Sequence, residues 1–107
     1  MRAGELDRRI TFQEPDPQTS ASGARTRDWK DVVTVWAGFR PMPGRERYQS
    51  PQTLATRTGI WRIRWRSDIH ERMRFLFRGQ PWQIDGIAEI GRREGLEITA
   101  TAIEGEQ

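Results

Sequence analysis

Gly59-Ile60-Trp61-Arg62-Ile63-Arg64-Trp65-Arg66 is followed, after a short polar connection, by Met73-Arg74-Phe75-Leu76-Phe77-Arg78-Gly79-Gln80-Pro81-Trp82-Gln83-Ile84-Asp85-Gly86-Ile87. The first run alternates strictly. Trp61, Ile63 and Trp65 fall on one side, and Arg62, Arg64 and Arg66 on the other. Successive side chains of a strand point to opposite faces of a sheet, so period-2 alternation is the signature of a strand with one buried face. Arg78-Gly79-Gln80-Pro81 interrupts the second run and reads as hairpin punctuation. The stretch therefore predicts three antiparallel strands, at residues 60–66, 73–77 and 82–87, arranged as a meander.

The flanking chain reads in the same way. Leu6, Ile10 and Phe12 share a parity and predict a first strand. Residues 14–27 are rich in Pro, Asp, Ser, Thr and Gly and predict an exposed connection. In the second strand, residues 29–40, Val33, Val35, Ala37 and Phe39 share one face, opposite Thr34, Trp36 and Arg40. Trp36 on the nominally outer face has two readings: a second buried face under a loop or helix, or a subunit contact, where Trp is enriched. Pro41, Pro43 and Gly44 stop that strand, and Pro51 prevents one uninterrupted helix across residues 41–58. A short helix fits either half of this segment. Connections of such length are usually functional or disordered. Asp85-Gly86 marks a bulge or bend, and residues 91–95 a turn. The last strand, residues 96–103, turns Leu96, Ile98, Ala100 and Ala102 inward. Together these elements predict an all-β chain: a small antiparallel β-barrel of about six strands, with a long loop between strands 2 and 3. Closure, or pairing with another subunit, is expected because an open edge is a liability.

The 107 residues suffice for a single domain, 1–107, and only 35% of them are apolar. Five Trp and four Phe supply bulk to a thin core, and such chains often gain burial by oligomerising. The absence of cysteine excludes disulfides and thiolate metal sites, and His70 stands alone, so no cofactor is expected. His70 lies in a polar connection and reads as an exposed residue without special role. No apolar run approaches a membrane span or a signal-peptide core; the expectation is a soluble chain made in the cytosol, without a membrane partner. Charge is segregated: residues 1–31 balance, residues 32–78 carry a net +7 and residues 79–107 a net −4. Either the basic middle faces a polyanion, or basic and acidic strands pair within or between subunits.

No catalytic constellation stands out. Ser20, Ser22, Ser50 and Ser67 lack the context of an activated nucleophile, and the glycines form no phosphate-binding loop. The feature with physical content is the arginine ladder Arg62, Arg64 and Arg66, whose side chains would project at intervals of about 6–7 Å. Arg74 and Arg78 extend it from the next strand. One reading is a phosphate-facing surface. The other is pairing across strands or subunits with Glu97, Glu89 or Asp85. A small OB-like barrel that binds single-stranded nucleic acid is accordingly kept as an alternative function, although such modules usually expose stacking aromatics.

Several segments resemble the phage head–tail joining proteins, the head-closure, stopper or adaptor family of long-tailed phages. The opening Met1-Arg2-Ala3-Gly4-Glu5-Leu6-Asp7-Arg8-Arg9-Ile10-Thr11-Phe12-Gln13 is similar to their start. Trp29, Val35-Trp36-Ala37-Gly38-Phe39-Arg40-Pro41 and Gly44-Arg45-Glu46 follow in the right order. So do Ile63-Arg64-Trp65-Arg66, Met73-Arg74-Phe75, Gly79-Gln80-Pro81-Trp82-Gln83-Ile84 and Gly95-Leu96-Glu97-Ile98. Trp82 departs from the family pattern, in which Tyr is commoner. The resemblance implies a virion protein, in a phage, a prophage or a gene-transfer particle. It implies a barrel subunit that forms a ring below the portal vertex, between a portal or adaptor ring and tail proteins. In some members a loop projects into the channel and retains double-stranded DNA. By position that loop is residues 41–58, and Arg45, Arg47 and Arg57 would face the channel.

Overall fold

The computed structural model describes residues 3–16, 28–42 and 57–103. A short 3-10 helix, Ala3–Glu5, leads into β1 (Arg8–Pro15). The remaining strands are β2 (Trp29–Pro41), β3 (Thr58–Arg64), β4 (Arg74–Phe77), β5 (Gln80–Ile90) and β6 (Gly95–Ala102). All pairings are antiparallel, and the strands close into a barrel in the order β1-β2-β3-β6-β5-β4, with β4 returning to β1. The all-β barrel expected from the alternation is the fold observed.

Burial follows the parity read from the sequence. Ile10 and Phe12 of β1, Ala37 of β2, Trp61 and Ile63 of β3, and Phe75 of β4 are buried inside. Trp82 and Ile84 of β5 and Leu96, Ile98, Ala100 and Ala102 of β6 complete the core, with Met73 just before β4. Trp61 is its hub: its ring centroid lies 4.8 Å from Phe39, 5.1 Å from Phe75, 5.3 Å from Phe77 and 5.1 Å from Trp82. The contacts are edge-on or tilted, the arrangement that ring quadrupoles favour.

The expected meander is corrected in one respect. β4 and β5 do form the hairpin, but β3 does not pair with β4; it lies between β2 and β6. The physical reason lies on the outer face of β6. Arg62 stands opposite Glu97 and Thr58 opposite Thr101, so the basic strand takes the acidic strand as neighbour. Residues 65–73 then carry the chain from β3 to β4 across one end of the barrel. The first strand of that expectation also ends early, because Arg66 is beyond β3 and turns its guanidinium onto Asp68.

The anticipated bulge is present in β5, between Ile84 and Gly86. It resolves a parity conflict: Ile84 and Ile87 are three apart, yet Ile84 is buried and Ile87 packs on the core opposite Ile98. Residues 28–31 enter the second strand without a helical turn. The short helix considered within residues 41–58 falls mostly on residues 43–56, outside the described residues.

The register places the barrel's two ends. At one end lie the 3-10 helix, the start of β1, the end of β2, the start of β3, the β4–β5 turn and the end of β6. The end of β1, the start of β2, residues 65–73 and the β5–β6 turn lie at the other.

Candidate functional site

Two regions gather the residues singled out by the sequence: the outer faces of the strands and the barrel mouth lined by Pro41 and Arg57.

On the outer face of β1 and β2, cross-strand partners form a continuous ladder. The Arg9 guanidinium lies 4.9 Å from the Trp36 ring centroid. Thr11 and Thr34 hydroxyls are 2.9 Å apart, and Gln13 Nε2 donates to Asp31 Oδ1 at 2.7 Å. Gln13 Oε1 in turn accepts from Arg74 Nε at 2.9 Å, and the Arg74 guanidinium stacks 4.5 Å over Trp29. Gln13 is thus buried to 8% exposure with both ends of its amide satisfied. Trp36, by contrast, is 49% exposed, with the Arg9 guanidinium over its ring.

The arginine ladder is split by the fold. Arg62 NH2 reaches Glu97 Oε2 at 3.3 Å, and Arg40 NH2 reaches the same oxygen at 3.7 Å. Arg64 stands opposite Gly95, is exposed, and has no ion-pair partner among the described residues. Arg66 holds Asp68 bidentately, Nε to Oδ1 and NH2 to Oδ2, both at 3.0 Å. Those hydrogen bonds, outweighing desolvation, push the Asp68 carboxyl below its usual range and raise Arg66. Asp85 is engaged by Thr101, whose hydroxyl donates to it at 2.6 Å, and Glu89 by the Arg93 N–H at 2.9 Å. His70 is exposed, and its Nδ1 accepts the Arg72 N–H at 3.2 Å.

The barrel mouth was not legible as a site from the sequence. A cavity of about 490 Å³ opens there, floored by Trp61 and Trp82 and walled by Phe39 and Phe77. Arg8, Arg57 and Arg78 stand on its lining from three different segments. The Arg8 guanidinium lies 5.6 Å from Phe39 and 6.0 Å from Phe77, and Arg78 lies 5.0 Å from Phe77. Arg57 is anchored through its carbonyl, which accepts the Ala102 N–H at 2.7 Å. Of the three arginines assigned to the long loop, Arg57 is therefore at this mouth; Arg45 and Arg47 lie outside the described residues. The signal that marks the site is proximity in the closed barrel, which no local spacing encodes. Among the described residues no cluster of metal-ligating side chains occurs, and no helix is long and apolar enough to cross a membrane.

A family model for the phage head completion protein matches residues 1–103. A protein from Shigella flexneri 2a, solved in solution, superposes with a TM-score of 0.73 at 28% identity, over 99% of this chain and 100% of its own. A chain from the virion of a native gene transfer agent particle superposes with a TM-score of 0.70 at 23% identity, over 92% of this chain and 96% of its own, and shares the fold. A search of curated proteins finds no match.

Proposed function

The chain belongs to the phage head completion protein family, and on that premise we propose that it is a ring-forming connector between head and tail. In this reading the protein is a structural component of the virion, without catalytic function. Copies meet head to tail in a ring, seated between a portal or adaptor ring and the tail proteins, and they help to retain double-stranded DNA by non-specific contacts.

The observation that carries the reading is the family match, which spans all six strands of the barrel. Three structural features support the finer parts. Pro41 and Arg57 both line one barrel mouth, which supports the reading in which Arg45, Arg47 and Arg57 act together at that end of the subunit. In this reading the three arginines face the DNA backbone. Trp36 is exposed beside Arg9 and suits a subunit contact. Arg62 is committed to Glu97 within the subunit, which leaves Arg64 as the ladder residue available to a neighbour or to a polyanion.

The test is removal of the protein from a phage or inducible particle that encodes it. Heads should package DNA yet fail to join tails, and Arg45, Arg47 and Arg57 replaced together by Gln should give joined particles that leak DNA. Normal tailed particles made without the protein would overturn the reading.

A further inference from the structure

The barrel mouth combines a basic rim with an aromatic floor. Its floor is the indoles of Trp61 and Trp82, each at least nine-tenths buried. Both Nε1 donors are buried without a hydrogen-bond partner among the described residues. Because these N–H groups are sealed from solvent, what the floor offers the cavity is apolar ring surface. The rim supplies positive charge in fixed positions, since Arg8 and Arg78 rest their guanidinium groups on Phe39 and Phe77. Among the described residues no acidic side chain lines the cavity, and Arg8 pairs with its exposed neighbour Asp7 at 3.2 Å. The other polar groups of the lining are occupied: Gln80 Nε2 donates to the Ile103 carbonyl at 2.7 Å, and Thr58 Oγ1 meets Thr101 Oγ1 at 3.2 Å.

We propose that this mouth docks an acidic peptide segment of a partner protein, which inserts one apolar side chain against Trp61 and Trp82 while its carboxylates meet Arg8 and Arg78. The cavity volume suits one or two side chains and lies within the usual range for pockets, about 300–1,000 Å³. Duplex DNA satisfies only the rim. Its phosphates stand on the outside of a stacked helix, and extruding a base to fill an aromatic floor costs several kcal/mol. Charge-assisted hydrogen bonds from guanidinium to carboxylate supply the specificity. Nothing in the proposal depends on the connector role, so either can fail alone.

The test follows the indole Nε1–H resonances of the ¹⁵N-labelled full chain. The probe is an acetylated hexapeptide in which aspartates and glutamates flank a leucine–phenylalanine pair. The Trp61 and Trp82 resonances should shift saturably, and the matching asparagine–glutamine peptide should leave them in place. Arg8→Gln with Arg78→Asn should weaken binding by about tenfold or more. Asn tolerates the left-handed backbone at position 78, and the variant's own spectrum reports that it is folded. Three results would overturn the proposal: equal shifts with the neutral peptide, equal shifts with a short DNA duplex, or resonances that ignore the peptide but move on Glu104→Gln with Glu106→Gln, which would mean that the chain fills its own cavity.

Discussion

Gly59 shows how closely the inner layer is filled. A Cβ built at this position would overlap the ring of Phe39, which in turn packs on Trp61 and Trp82. Gly59→Ala is therefore expected to cost about 1–3 kcal/mol, the usual range for overpacking, read as a lowered urea midpoint with an unchanged slope. The pair Arg66–Asp68 sets a pH dependence. The Asp68 carboxyl is depressed by its hydrogen bonds to Arg66, so its contribution to stability is present above the unfolded-state value and is lost as pH falls through the folded-state value. The two side chains are 38% and 43% exposed, which limits the contribution to about 1 kcal/mol or less. Asp68→Asn should lose that increment at neutral pH, and the gap to the parent should close in unfolding curves taken well below about pH 4. At this scale the sequence was informative: the inward residues follow from alternation alone, because strand parity is a local property. The orphaned indole donors were not legible, since a tryptophan on the inner parity does not reveal whether its N–H finds an acceptor.

Among the elements, the β4–β5 hairpin is the one most fully encoded by neighbouring residues. Phe77 pairs with Gln80 across a two-residue loop in which Arg78 has φ 53° and Gly79 φ 80°. Positive φ at both central residues is what a type I′ turn requires, and its twist matches that of the strands it joins. Gly79→Ala should destabilise the protein by about 1–2 kcal/mol, because the left-handed conformation penalises a Cβ even though open space surrounds it. Thermal unfolding of the variant measures this directly. The bulge in β5 was legible for a similar reason: Asp85-Gly86 sits between two isoleucines whose spacing breaks period 2. The insertion of β6 between β3 and β5 was not, because its pairing with β3 joins Arg62 to Glu97 across 35 residues of chain. The opposed net charges of the two regions pointed to such a pairing without giving the register.

For the whole molecule, closure brings together what the chain keeps apart. Arg8, Phe39, Arg57 and the β4–β5 hairpin residues Arg78 and Trp82 come from four separate segments and meet at one mouth because β4 returns to β1 through Thr11–Leu76, Phe12–Phe75 and Gln13–Arg74. Sequence pattern supplies the strands and their faces, whereas a site assembled by closure is visible only in three dimensions. The same closure leaves no unpaired sheet edge in the described barrel, so self-association must use side-chain faces such as that of Trp36 rather than added strands. The central claim, a head–tail connector that assembles as a ring, is tested most directly by the mass of the purified protein in light scattering, alone and with DNA-filled, portal-bearing capsids that lack tails. The account predicts a fixed multimeric complement bound to each capsid, in a ring. A chain that stays monomeric, ignores the capsids and binds short single-stranded oligonucleotides tightly at physiological salt would contradict it.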